Sequence, residues 1–311
     1  MSVFFERIVC PGCEFATSSS VFHAPFSAPR MRKFMERKFK DPEAILEVLG
    51  DAEYDLRKCA RCGLIYQRYV LNDEYSALLY GKWLLEGDAE SELSKETLLP
   101  SEHVLYANEL LAVGRFFGRP HHRLRVLDYG LGCGWWCRMA TALGFEAVGT
   151  DLAPSLVMQA RARGVTAIEI EQLATERFDF INTEQVLEHV TRPLEVLRQL
   201  RRSLKPRGVI KVSVPDGRGI EGRIPRMDWT APREDKRYLM PATPLIHINT
   251  FTEESIGAMG REAGLSPARV PLHCEYSVLD ATRPKALLKS LLRPLYRRAS
   301  HATYVFLQAD S

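Results

Sequence analysis

The chain has 311 residues, enough for two domains or for one domain with a large appendage. Its 42 basic and 39 acidic side chains leave a net charge of +3, which argues against a general nucleic-acid binder but leaves room for a local basic patch. No apolar run approaches the roughly eighteen residues of a membrane span, and the start Met1-Ser2-Val3-Phe4-Phe5-Glu6-Arg7 lacks the charged head and long apolar core of a secretory leader. The expected compartment is the cytoplasm, with reduced thiols.

Four of the seven cysteines fall in two equal spacings, Cys10-Pro11-Gly12-Cys13 and Cys59-Ala60-Arg61-Cys62-Gly63. Two such knuckles supply four thiolates at tetrahedral corners, with small residues that let backbone amides approach the sulfurs. A structural zinc on Cys10, Cys13, Cys59 and Cys62 is the expectation; unrelated buried thiols or a redox disulfide are the alternatives. The first knuckle has Glu14 where glycine often follows. Because 45 residues separate the knuckles, the insert should carry helices of its own, over Met31–Lys40 and Pro42–Leu49. Residues 1–72 read as this zinc-ribbon-like module. Cys133, Cys137 and Cys274 read as packing residues.

Residues 73–122 read as a helical connector. Tyr75, Tyr80 and Trp83 precede an acidic, exposed stretch from Glu86 to Glu96. Pro100-Ser101-Glu102 then starts a helix with apolar positions at 104, 105, 110, 111 and 113.

From residue 123 the pattern changes. Val126-Leu127-Asp128 reads as the end of a buried strand, Gly130-x-Gly132-x-Gly134 as a turn with no side chain to hold a ligand away, and Trp135 onward as a helix start. Strand, glycine loop and helix N-terminus make a site for a nucleotide-like ligand. A dinucleotide fingerprint leaves two residues between its second and third glycines, which would put the third at Trp135, beside Trp136. Ala147–Asp151 reads as a second strand ending in an acid about twenty residues on, where a carboxylate can accept from ribose hydroxyls; capping the helix near Pro154 is a compatible role. Phe178–Asn182 and Val209–Asp216 read as further buried strands. Between them Thr191-Arg192-Pro193 caps a helix striped with leucines at 194, 197, 200 and 204. Strands alternating with helices at this pitch predict a doubly wound, Rossmann-like α/β sheet, with Asp128, Asp151 and Asn182 at its carboxyl, ligand-binding edge.

Asp128-x-Gly130-x-Gly132-x-Gly134 resembles motif I of the class I S-adenosylmethionine (SAM)-dependent methyltransferases. Leu187-Glu188-His189-Val190, Leu204-Lys205-Pro206-x-Gly208 and His247-Ile248-Asn249-Thr250-Phe251-Thr252 are similar to segments of small-molecule methyltransferases, a group that includes the ubiquinone-biosynthesis O-methyltransferases. The resemblance covers about residues 123–311. It implies SAM held by Asp128, Gly130, Gly132, Gly134, Asp151 and Asn182. Paired knuckles ahead of such a domain resemble the zinc modules of some sugar and natural-product methyltransferases.

Methyl transfer from a sulfonium needs positioning, exclusion of water and, for a protonated nucleophile, a base. Glu184, Glu188 and His189 form the polar cluster expected near the transfer site; on a helix the two carboxylates would share a face. Structural pinning and general-base roles compete here, and the resemblance adds a divalent cation such as magnesium. His247, behind a Pro-rich segment over 217–245 that reads as a substrate lid, is the other base candidate. The catalytic expectation is therefore His247, His189 and Glu188.

Three functions compete. The first is methyl transfer to oxygen or carbon of a sugar, polyketide, aromatic or other metabolite. The second is an RNA-modifying methyltransferase whose zinc module grips RNA, against which near-neutral charge and the absence of a Pro-Pro-aromatic sequence after Asn182 both weigh. The third is a non-catalytic SAM-binding scaffold. The basic, leucine-striped stretch 285–298 could lie on an anionic membrane surface, but packing of its leucines on the sheet is the favoured expectation. Oligomeric state is not legible.

Overall fold

The computed structural model describes residues 3–84, 100–229, 231, 235, 237–271, 274, 284–292 and 302–309. The amino-terminal elements are β1 (Phe4–Glu6), β2 (Ser18–Pro25), α1 (Pro29–Lys38), α2 (Pro42–Leu49), β3 (Glu53–Cys59), β4 (Ile65–Gln67), β5 (Tyr69–Leu71) and α3 (Asp73–Leu78). Then come α4 (Pro100–Phe117), β6 (Arg125–Tyr129), α5 (Trp135–Ala142), β7 (Glu146–Thr150), α6 (Pro154–Ala162), β8 (Phe178–Glu184), α7 (Pro193–Arg202) and β9 (Leu204–Pro215). The last are α8 (Ile220–Arg223), β10 (Asn249–Thr250), α9 (Glu253–Glu262), β11 (Leu265–Pro267), α10 (Pro284–Leu291) and β12 (Ala302–Ala309).

The chain divides into two compact units. The first combines Met1–Ser94, Leu187–Leu194 and Val214–Glu262; the second combines Lys95–Val186, Glu195–Ser213 and Ala263–Ser311.

In the first unit a four-stranded sheet runs β10-β4-β3-β2, and β1 pairs with β5 beside it. The two expected helices of the insert are present as α1 and α2. Pro29 and Pro42 sit in their first turns, where a missing N–H costs nothing. Asp41 caps α2 by accepting from Ala44 N at 3.0 Å. Met31, Phe34 and Met35 of α1 and Ile45 and Leu49 of α2 form one core with Phe26, Tyr54 and Leu56. Ile220, Ile224, Leu239, Ala242 and Leu245 belong to the same core. The described part of the expected lid, 217–245, is thus packed into the amino-terminal module. Tyr54 Oη and Trp229 Nε1 both donate to Ala242 O, at 2.7 and 3.0 Å.

The second unit is built on a six-stranded sheet in the order β11-β12-β9-β8-β6-β7. β6 lies parallel to β7 and β8, and β8 parallel to β9, while β11 and β12 are antiparallel. The doubly wound α/β expectation is met. Leu197 and Leu200 on α7 are fully buried, and each contributes about 1.5–3 kcal/mol relative to exposure. Leu204 belongs to β9 and not to the helix stripe. On α4, Leu110 and Val113 face the core, whereas Val104 and Leu105 are exposed.

Two carboxyl-terminal expectations are corrected or fall elsewhere. Leu288 and Leu291 of α10 are exposed, not packed on the sheet, and Leu287 is only half-buried. Residues 293–298, the whole acidic stretch 86–96 and most of the strand expected at 270–276 lie outside the described residues. Among the described residues no helix is long and apolar enough to cross a membrane.

Candidate functional site

The two knuckles converge. Cys10 Sγ lies 3.5 Å from Cys62 Sγ, and Cys13 Sγ 3.5 Å from Cys59 Sγ. All four sulfurs lie within 4.8 Å of one another, and all four residues are buried. Tetrahedral thiolates at about 2.3 Å from zinc stand about 3.8 Å apart, so the donor set fits the ion. Gly12 N and Arg61 N donate to Cys10 and Cys59 Sγ, each at 3.4 Å, as thiolate acceptors require. Hydrogen bonding from Cys10 pulls the Cys62 thiol down to about 5, whereas burial pushes Cys13 up to about 12. Without a cation, buried sulfurs this close resist losing all their protons.

In the second unit the glycine loop leaves β6 as expected. Gly130, Gly132 and Gly134 all have positive φ, and a Cβ on Gly130 would come within 2.4 Å of Val186 Cγ2. Only glycine fits there. Asp151, just past β7, accepts from Gly132 N at 3.2 Å and from Ala153 N at 3.0 Å. It therefore fixes the loop and the entry to α6 at once, and burial raises its pKa against those two donors. Leu152 beside it is 60% exposed. Trp136 is a core residue: its indole is buried, lies roughly parallel to Phe180 and donates to Glu109 Oε1 at 2.9 Å.

The sheet register places Asp128 opposite Asn182, and Asn182 opposite Lys211. Asn182 Nδ2 donates to Asp128 Oδ1 at 2.8 Å. Burial pushes the Asp128 carboxyl up to about 7, against that bond and the Lys211 charge. Lys211 Nζ lies 2.6 Å from Glu109 Oε2 and 2.5 Å from Glu184 Oε2, and Ser213 Oγ donates to Glu184 Oε1 at 2.8 Å. Burial alone would depress the Lys211 ammonium; the two carboxylates more than offset it and hold it charged. Asn182 Oδ1, Thr183 Oγ1 and Tyr129 Oη are buried polar atoms with no hydrogen-bond partner. Lys211, Glu109 and Tyr129 went unread in the sequence. A lysine inside the apolar run Val209-Ile210-Lys211-Val212 was the one available signal.

The helix on which Glu184 and Glu188 would share a face does not form. β8 continues to Glu184, Gln185 turns left-handed at φ 55°, and residues 187–189 make a turn. The Glu184 carboxylate is engaged by Lys211 and Ser213, while Glu188 and His189 belong to the first unit with His247. There the two imidazole rings meet edge to face at 4.8 Å, and Glu188 Oε1 lies 4.0 Å from His189 Nε2. His247 Nδ1 is 2.5 Å from Met240 O; His189 Nδ1 is 3.0 Å from Ile246 O and 3.1 Å from Tyr80 Oη. A carbonyl accepts only, so both Nδ1 atoms carry the proton and both Nε2 atoms present lone pairs. Burial drives the imidazoles down, His189 to about 4 and His247 to about 3, so neither sits near the ordinary value expected of a base. Gln67, also unread in the sequence, steadies this segment: its Nε2 donates to Thr243 O at 3.3 Å and His247 O at 3.1 Å.

A mostly parallel sheet with this strand order, a glycine loop after its first strand and an acid after its second defines a class I methyltransferase fold. A methyltransferase-domain profile matches residues 105–269, more than half the chain. The chain belongs to that methyltransferase family. A ubiquinone biosynthesis O-methyltransferase of Xanthomonas oryzae pv. oryzae is 36% identical over 100 residues, 29% of this chain and 42% of the relative. The chain thus spans about two fifths of that relative's length. One from Bordetella avium is 28% identical over 209 residues, 63% of this chain and 80% of the relative. Among solved structures, the plantazolicin methyltransferase BpumL in complex with SAH matches with a TM-score of 0.46 and 14% identity, covering 73% of this chain and 92% of that one.

Proposed function

We propose that this protein transfers a methyl group from SAM to oxygen or carbon of a small molecule. The observation that carries the reading is the loop Gly130–Gly134, whose three glycines all have positive φ and which is tied through Gly132 N to the Asp151 carboxylate. Asp151 would hold the ribose hydroxyls, and exposed Leu152 would cover a flat ring beside them. Asp128, Asn182 and the partnerless Tyr129 and Thr183 hydroxyls would meet the polar remainder. When bound, SAM supplies an electrophilic methyl group that needs little covalent help. The likeness to ubiquinone biosynthesis O-methyltransferases supports the small-molecule class.

His247 and His189 would accept a proton at Nε2, with Glu188 orienting them or stabilising the imidazolium. A second reading has these three residues hold a divalent cation, because their ligand atoms lie within 4.8 Å of one another. Two imidazoles suit a borderline metal such as zinc or iron better than magnesium. Cys10, Cys13, Cys59 and Cys62 would hold a structural zinc.

The test is incubation of pure protein and methyl-labelled SAM with a small-metabolite extract and, separately, with RNA. Label is expected in the metabolite fraction; label in RNA alone would overturn the substrate class. Elemental analysis should find one zinc per chain, lost when Cys59→Ser removes one thiolate.

A further inference from the structure

Arg7 is a buried cation with no carboxylate partner among the described residues. It is 5% exposed, and its guanidinium lies 5.2 Å from the Tyr66 ring centre. Nε donates to Gln67 O at 2.8 Å, Nη2 to Gln67 O at 2.5 Å and to Ile248 O at 2.7 Å, and Nη1 to Asn249 Oδ1 at 2.7 Å. All three acceptors are neutral. Burial pushes this side chain down to about 9, with Tyr66 and then Cys10 the groups whose charge opposes that shift. A buried charge needs compensation, and four thiolates around one divalent ion leave two surplus negative charges. An occupied cysteine centre, with Cys10 close to Arg7 along the chain, would supply that negative charge.

The same guanidinium grips a residue that reaches the histidine turn. Asn249 Nδ2 donates to Leu187 O at 2.9 Å and to Val190 O at 2.8 Å, and Asn249 N donates to Glu188 O at 3.1 Å. One asparagine thus holds three carbonyls of the turn that carries Glu188 and His189. The knuckle touches that segment independently, since Pro11 O accepts from Leu194 N at 3.3 Å. The second knuckle runs into β4, whose partner β10 contains Asn249. All of these residues belong to the first unit.

We propose that Arg7 and Asn249 are positioning residues that couple occupancy of the four-cysteine centre to the Glu188–His189 turn. This rests on the zinc reading above. The module's role is then to set the shape of the acid–base cluster. An arginine suits the position because its planar fork satisfies Gln67, Ile248 and Asn249 together, which an ammonium cannot do.

The test uses the full chain, with two readouts: zinc affinity by competition with a chromophoric chelator, and hydrogen exchange of the peptide covering 187–190, with β3 as the control for general unfolding. Arg7→Met should weaken zinc binding about 10- to 100-fold, the usual effect of losing an outer partner of a metal ligand. Arg7→Lys, keeping the charge without the fork, should recover most of that affinity while 187–190 exchanges faster. Asn249→Ala should leave zinc affinity unchanged and speed exchange at 187–190 alone. Wild-type zinc affinity in Arg7→Met, or unchanged exchange at 187–190 in Asn249→Ala, overturns the coupling. Should Arg7→Met not fold, Arg7→Lys and Asn249→Ala decide the matter alone. A wild-type chain that takes up no zinc overturns the zinc reading and the coupling with it. Tight zinc binding whose removal leaves 187–190 unchanged overturns the coupling only.

Discussion

Glu14 and Gly63 occupy the same place in the two knuckles, each directly after the second cysteine, and both have a left-handed backbone, with φ of 58° and 73°. Both amides close the same turn, Glu14 N onto Cys10 O at 2.8 Å and Gly63 N onto Cys59 O at 3.1 Å. The first knuckle therefore departs from the usual glycine in side chain and not in shape. A non-glycine residue held there costs about 1–2 kcal/mol, while glycine's extra freedom when unfolded costs about 0.5–1 kcal/mol. Glu14→Gly should leave the protein as stable or up to about 1 kcal/mol more stable, and Gly63→Ala should destabilise it by about 1 kcal/mol. Chemical denaturation in the presence of added zinc measures both; a marked loss with Glu14→Gly would show that the side chain outweighs the backbone.

Asp151→Ala should weaken SAM binding at least tenfold. A hydrogen bond to a charged group is worth about 1.5–3 kcal/mol, and the substitution also frees Gly132 N and Ala153 N, which Asp151 now holds. Asp151→Asn keeps an acceptor and should lose less. Calorimetric titration of the folded variants checks this, and unchanged affinity in the alanine variant would remove Asp151 from the cofactor site.

The histidines set a pH dependence. Both pKa values fall on folding, from about 6.5 in the unfolded chain to about 4 for His189 and about 3 for His247. The unfolded chain then binds protons that the folded chain refuses. Their contribution is fully present above about pH 6.5 and is lost as the pH falls toward 4 and below. His247→Gln should flatten the stability curve between pH 6.5 and 4, and the acidic limb of activity should lie below pH 5. Urea denaturation at pH 7 and pH 5 reports the first; equal pH slopes in wild type and variant would refute it.

Lys211→Met should destabilise by about 3–5 kcal/mol, because it strands the carboxylates that share the ammonium. Glu109, 15% exposed, has little access to water, whereas Glu184, 38% exposed, can rehydrate. Adding Glu109→Gln should therefore restore much of the loss, and Glu184→Gln less. Melting temperatures of the singles and doubles give this order, and equal rescue by both would contradict it.

Local features were the legible ones. The glycine loop, the strand-terminal acids and the paired knuckles are short patterns whose residue types are forced by backbone shape or ligand chemistry, and each appears where expected. What escaped is carried by contacts between distant parts of the chain. Glu109 meets Lys211 across 102 residues, and Arg7 meets Asn249 across 242; no periodicity links such pairs. A helix joining Glu184 to Glu188 is broken at Gln185, which turns left-handed, a conformation that a glutamine does not advertise. The segment 217–245 reads as a lid because its prolines and polar residues resemble a loop; that its described apolar side chains complete the core of the amino-terminal module depends on partners far away in the sequence.

The pairing of β4 with β10 also bears on how this protein is made. Ile65 waits for Thr250, and Phe26, Met31 and Phe34 wait for Ile220, Leu239 and Leu245. At ~5–20 residues per second on the ribosome, residue 94 precedes residue 262 by roughly ten to thirty seconds. The amino-terminal module is therefore synthesised first but cannot close first, and throughout that interval its half-built core is a surface for chaperones to cover.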